Sequence, residues 1–335
     1  MQALNNRNPS DTKDNTAVSK ENKRSPSWGF LLRLTVSIVI LAFILTRIDF
    51  RQTLGIISHV NLWGFILAFL LNLLFHFLFV LRWQVVLSLW NVKPGVVRLS
   101  IWHFVGMFFS LFLPTSVGGD IVKAYYFSKD SSQTSISFLS VFWDKYIGFI
   151  AFIFYAALAA TYALLKVSGI EIYTLLIWIL AAAIAVLAIL ATGLITRLIG
   201  LLGKRLGGLR DIVLLVHDSF RMILRNYRSV LLIFAYVWIA LILNVAINYV
   251  LVYSMGLSID LLPLLILIPV ITAINMLPIS ISGLGVREAA FILLFAQVGF
   301  TSDQSFALSI LNFILLVLAS LPGGLLYLLV KPNKG

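Results

Sequence analysis

Apolar runs of roughly membrane-spanning length recur along the sequence, and short polar stretches punctuate them. Residues 1–27 come before the first run, are polar and charged with almost nothing to bury, and are read as a disordered cytoplasmic tail. Residues 30–46 then predict a helix of about 26 Å, marginal for a span. Residues 62–81 predict a second span, with Trp63 at one end and Arg82-Trp83 at the other as interfacial anchors. The run 101–113 is too short to cross and breaks at Pro114. Residues 135–165 form a long stretch interrupted by Trp143-Asp144-Lys145-Tyr146, and 173–195 form a cleaner span. A basic segment, 197–228, follows, with apolar residues at Val213, Val216, Phe220 and Ile223. That is a helical period, expected of an amphipathic helix on an anionic leaflet. Beyond it lie 230–253, two shorter runs at 261–278 and 284–298, and a last span at 306–330.

The pattern predicts an all-α polytopic membrane protein with about six full spans plus two re-entrant or broken helical hairpins in an inverted repeat. Alternating ten-residue strands are absent, which argues against a β-barrel. The expected organisation is the tail, 1–27, and a transmembrane domain, 28–331, whose halves 62–196 and 229–331 are joined by the basic helix 197–228. Composition agrees: the 335 residues are 61% hydrophobic and 11% charged, with mean hydropathy +1.02, which excludes an ordinary soluble domain.

A formal charge of +12 raises nucleic acid as a partner, but the sequence offers no soluble domain and no aromatic-basic platform for bases. With the N-terminus inside and both broken segments returning to their side of entry, all 25 Lys/Arg but Arg47, Arg51, Lys166 and Arg287 fall on or near the cytoplasmic side. Both termini are thus expected in the cytoplasm, and the protein in the cytoplasmic membrane. The first hairpin would enter from the cytoplasm and the second from outside.

The two breaks resemble each other. LPTSVGGDIVKAYYF at 113–127 and LPISISGLGVREAAF at 277–291, anchored on Pro114 and Pro278, also match Ser116 with Ser280, Gly119 with Gly283 and Phe127 with Phe291, and set Lys123 opposite Arg287. Roughly one identity would be expected by chance after the anchor. Paired, Gly/Pro-interrupted segments in two halves point to a transporter's binding site.

Lys123 and Arg287 each follow the proline by nine residues, in the first turns of a half-helix, where free N–H groups and the dipole also favour an anion such as a lipid phosphate. The alternative is that both snorkel to water as anchors. Asp120 and Glu288 stand beside these cations, to pair with them or to take up protons. Asp144-Lys145 could face the same cavity or form a helix-end pair. Gly118, Gly119, Gly283 and Gly285 permit tight turns and close approach. Ser116, Ser280 and Asn275 could contact a headgroup, or satisfy backbone groups freed by the prolines.

His59, His76, His103 and His217 are not spaced as metal ligands, and no nucleophile elbow is present. The absence of cysteine removes thiol chemistry. No metal, cofactor or enzymatic activity is expected.

Arg82-Trp83, LPTSVGGD with Lys123, Asp144-Lys145 and LPISISGLGVREAA together resemble the lysylphosphatidylglycerol synthase transmembrane family, over roughly residues 30–330. Relatives often carry a more glycine-rich turn where Ser280-Ile281-Ser282 stands, and commonly an arginine at the place of Lys145. In full-length relatives the synthase chemistry belongs to a separate soluble aminoacyl-transferase domain, so the resemblance implies the flippase-like half alone. The expectation is a lipid translocase that moves a phospholipid or lipid-linked headgroup, anionic or zwitterionic, across the cytoplasmic membrane. Membrane lipids are its expected partners, with a separate lipid-modifying transferase as a further candidate. Two alternatives stay open: a secondary transporter of a small soluble anion, and a lipid-binding accessory subunit of a membrane transferase.

Overall fold

The computed structural model describes residues 28–46, 48–113, 118–166, 207–276 and 283–330, and among them the protein is an all-α polytopic membrane protein. The helices are α1 (Trp28–Leu45), α2 (Phe50–Ser58), α3 (Leu62–Ser88), α4 (Val96–Ser110), α5 (Gly118–Ser131), α6 (Thr134–Lys166), α7 (Gly207–Arg225), α8 (Tyr227–Ser254), α9 (Leu261–Met276), α10 (Val286–Phe295) and α11 (Ser302–Leu329). Four of these are long and apolar enough to cross a membrane: α3, α6 through its segment Thr134–Phe152, α8 and α11. The tail, the expected span at 173–195, Pro114, Ser116, Pro278 and Ser280 lie outside the described residues.

Local chemistry sets the helix starts. Asp49 caps α2 by accepting from the Arg51 and Gln52 amides, and Asn61 caps α3 by accepting from Gly64 N at 3.0 Å. Thr301 and Gln304 exchange side-chain-to-backbone bonds as a capping box on α11. Glu288 plays a similar part for α10, accepting from Gly285 N at 2.6 Å. Gly283 and Gly285 turn the chain into α10 at φ +78° and +81°, a region side chains rarely enter.

The helix order is regular: a long helix (α3, α8), a short apolar one (α4, α9), a shorter helix (α5, α10) and a long helix (α6, α11). Packing follows the same pattern. Exchanging α3, α4, α5 and α6 for α8, α9, α10 and α11 maps every major contact among these eight helices onto another. Thus α4 packs on α11 as α9 packs on α6, and α6 on α8 as α11 on α3. The pair α3 and α8 is its own counterpart and is antiparallel, since the start of α3 meets the end of α8: Asn61 N donates to Ser254 O at 2.7 Å.

One core holds Ala68, Leu251, Leu267, Phe291, Phe295 and Leu311, drawn from α3, α8, α9, α10 and α11. A second joins α3 to α6 through Val80, Trp83, Trp102, Phe127 and Val141. The apolar stripe of α7 does not simply face lipid. Phe220 and Ile223 are buried in a cluster with Val86, Trp143 and Ile233, so this part of the stripe is spent on α3, α6 and α8.

Candidate functional site

α3 continues past the predicted end of the second span, which carries Arg82 and Trp83 inside. Both are buried, Arg82 at 4% exposure and Trp83 at 0%, rather than set at an interface as anchors. Burying a guanidinium requires a partner, and α6 supplies it. Arg82 Nε donates to Asp144 Oδ1 at 2.7 Å and its Nη2 to Oδ2 at 3.0 Å, a two-pronged ion pair between helices distant in sequence. The guanidinium also lies 4.5 Å from the Phe79 ring centre. Gly148, one turn beyond Asp144, leaves room for it: a Cβ there would fall 2.8 Å from Arg82 Nη1.

Lys123 on α5 joins this pair. Its Nζ is 3.8 Å from Asp144 Oδ2 and 3.9 Å from the Trp83 ring centre, and the residue is 4% exposed. Asp144 is therefore a carboxylate shared by two buried cations. Asp120, at the start of α5, does not pair with Lys123; it pairs with Lys145 of α6. Their side chains are 28% and 35% exposed, so this second pair forms the accessible rim of the buried one. Of the two readings of Asp144-Lys145, the helix-end pair does not form: Asp144 turns inward to Arg82 and Lys123, and Lys145 toward Asp120.

The helix pair around this cluster is close-packed. A Cβ at Gly106 of α4 would lie 2.7 Å from Gly119 O, and one at Gly119 would overlap Ser110 Oγ and the Gly106 carbonyl. At the far ends of α4 and α5, Arg98 clasps Asp130 with two bonds of 2.6 Å, and Trp102 Nε1 donates to Asp130 at 3.1 Å.

At the second break, Arg287 and Glu288 are both buried, and they pair with each other. Arg287 Nε donates to Glu288 Oε1 at 3.0 Å and reaches Ser309 Oγ of α11 at 3.3 Å. Its guanidinium lies 4.7 Å from the Phe313 ring centre. Asn275, near the end of α9, holds a buried Oδ1 with no hydrogen-bond partner among the described residues. A Cβ at Gly283 would come 3.8 Å from that oxygen and 3.8 Å from Arg287 Cβ, which puts Asn275 beside the Arg287 turn. Polar ties also link α8 to its neighbours: Asn312 of α11 donates to Asn248 Oδ1 of α8 at 2.9 Å, and Asn244 of α8 donates to Thr272 of α9 at 3.1 Å.

Sequence reasoning named Lys123, Asp144, Lys145 and Asp120, which the structure gathers in one cluster, and Arg287, Glu288 and Asn275, which it gathers in another. It missed Arg82 as a member of the first, together with Ser309, Asn248 and Asn312. The one available signal for Arg82 was a cation flanked by apolar residues on both sides, continuing the helix into Val85, Val86 and Leu87.

These features define a class: a helical membrane protein with a buried, cation-containing site at each of two chain breaks. Within that class, the chain belongs to the family described as the lysylphosphatidylglycerol synthase TM region, whose pattern matches residues 30–323. It is similar to a UPF0104 membrane protein of Methanothermobacter thermautotrophicus, 25% identical over an alignment of 320 positions that covers 88% of this chain and 89% of that one. No solved structure matches it. Neither the family description, a transmembrane region, nor the relative's name points to an enzymatic activity.

Proposed function

We propose that this protein is a lipid translocase of the cytoplasmic membrane that moves a phospholipid or lipid-linked headgroup between leaflets and carries out no covalent chemistry. The observation behind this reading is the pair of buried cations, Lys123 and Arg287, each on the helix that follows a chain break and each beside further polar side chains. A buried charge is costly to hold, and in membrane-spanning segments such charges generally mark substrate paths. The phosphate of a headgroup would be drawn to Lys123 with Lys145 at the rim, and to Arg287 with the Asn275 amide beside it. Ser116 and Ser280, at the breaks themselves, are the proposed hydroxyl contacts.

In this reading the halves 62–196 and 229–331 are an inverted repeat and both termini lie in the cytoplasm. The antiparallel α3 and α8, and the matched contacts of the two halves, favour it. Lys123 is then reached from the inner side and Arg287 from the outer, and alternating exposure carries the headgroup across. Membrane lipids are the proposed partners, and a separate lipid-modifying transferase would supply the modified lipid.

The test is reconstitution in liposomes containing headgroup-labelled phosphatidylglycerol, with a membrane-impermeant quencher. Protein-dependent loss of protection is expected, abolished in both K123A and R287A and kept in H59A. If folded protein moves no lipid but takes up a small soluble anion, the translocase reading fails in favour of an anion transporter. If it moves neither and co-purifies with a transferase, the accessory-subunit reading replaces it.

A further inference from the structure

Two histidines absent from the site above meet beside it. His76 of α3 and His103 of α4 have ring centres 5.8 Å apart, and His103 stacks on Phe79 with centres 6.5 Å apart and planes at 22°. Phe79 in turn carries the Arg82 guanidinium on its ring. An unbroken line of contacts therefore runs from the imidazoles through Phe79 to Arg82, Asp144 and Lys123. His103 is buried, and its Nε2 has no hydrogen-bond partner among the described residues. The same holds for Oδ1 of Asn72, four residues before His76 and so on the same face of α3. Unpartnered buried polar atoms are rare, and each calls for a partner.

The charges around His103 are countable. Toward it α3 presents His76 and, across the Phe79 ring, Arg82, whose partner Asp144 also holds Lys123 of α5. From α6, Asp144 and Lys145 belong to the same cluster, and Asp120 of α5 closes it. On its own helix Arg98 is engaged with Asp130. α11, also packed on α4, brings Tyr327, which faces Phe109 and Tyr126. Against three cations, Arg82, Lys123 and Lys145, stand two carboxylates, Asp120 and Asp144. The cluster beside the imidazoles thus carries one positive charge in excess. An entering anion cancels that excess and attracts a positive charge to its surroundings.

We propose that His76 and His103 form the proton site of this protein, taking up one proton from water when a phosphate-bearing anion enters the neighbouring cluster and returning it when the anion leaves. This rests on the headgroup site proposed above. The proton binds an imidazole nitrogen, His103 Nε2 having no hydrogen-bond partner among the described residues, and no bond of the lipid changes. Because anion and proton stabilise each other, binding strengthens as pH falls, and each ligand raises the affinity of the other by the same factor.

The experiment uses the full chain in detergent, titrated with dihexanoyl-phosphatidylglycerol and, separately, with glycerophosphoglycerol, which carries the same diester without acyl chains. Proton uptake is read by calorimetry in buffers of different ionisation enthalpy. The expected result is close to one proton per bound anion and an affinity that falls by up to roughly tenfold per pH unit, the slope one linked proton gives. H103Q or H76Q should bind without uptake and without pH dependence, while H59A behaves as wild type. Uptake with the lipid alone assigns the coupling to a headgroup anchored in the membrane; uptake with glycerophosphoglycerol as well extends it to free diesters. Binding by the wild-type chain with no proton uptake overturns the coupling and leaves the anion site standing. Uptake retained in both glutamine variants overturns the assignment to the histidines. No binding of either compound by folded protein overturns the anion site, and the coupling with it.

Discussion

Removing Asp144 should be the most damaging single change in the buried cluster, because this carboxylate serves two cations. It accepts both prongs of Arg82 and lies 3.8 Å from Lys123, and all three residues are 5% exposed or less. D144A leaves two buried positive charges without a counter-ion, and breaking such a pair from one side costs about 3–5 kcal/mol. R82M is a different perturbation. Methionine fills much of the arginine stem, Lys123 remains to balance Asp144, and the loss is about 1.5–3 kcal/mol of charge-assisted hydrogen bonding. The order of cost, D144A above R82M, follows from the sharing and not from the identity of the pair. Equilibrium unfolding in mixed micelles, followed by tryptophan fluorescence, would measure it. If R82M proved as costly as D144A, Lys123 would not be relying on Asp144, and the three-membered cluster would reduce to an ordinary pair.

The rim pair Asp120–Lys145 is about one-third exposed, so D120N should cost less than about 1 kcal/mol in the same assay; a loss matching that of D144A would contradict its place at the rim. G119A should destabilise by about 1–3 kcal/mol by overpacking the α4–α5 crossing, and the double variant S110A/G119A should not recover, because the Gly106 carbonyl still blocks the new methyl group. Full recovery would show that Ser110 alone set the contact.

The helices were legible because lipid-length apolar runs carry a strong signal, and the breaks were legible because Pro and Gly interrupt such runs. The partners of the charges were harder to read. Asp120 stands three residues before Lys123, a spacing that suits a local pair, yet the rotation of α5 turns Asp120 toward Lys145 and Lys123 toward Asp144. At the second break the neighbours Arg287 and Glu288 do pair, so proximity in sequence predicted one site and misled at the other. Arg82 looked like an anchor because anchors and buried cations share the same flank of aromatic residues; only the position of α6 distinguishes them. The two histidines meet across helices with no spacing pattern that could have announced it.

The packing of α4 on α11 has a consequence for how the protein is made. Gly323 of α11 admits the Phe104 carbonyl where a side chain would overlap it, and Gly324 lies under the Phe108 ring, so this seat for the first hairpin is built from the end of the chain. The ribosome reaches Gly323 about 220 residues after Phe104, roughly ten to forty seconds later at ordinary elongation rates. Throughout that interval the nascent hairpin stands in the membrane with its seat not yet synthesised. The contact between α4 and α11 can therefore close only after translation has passed Gly324.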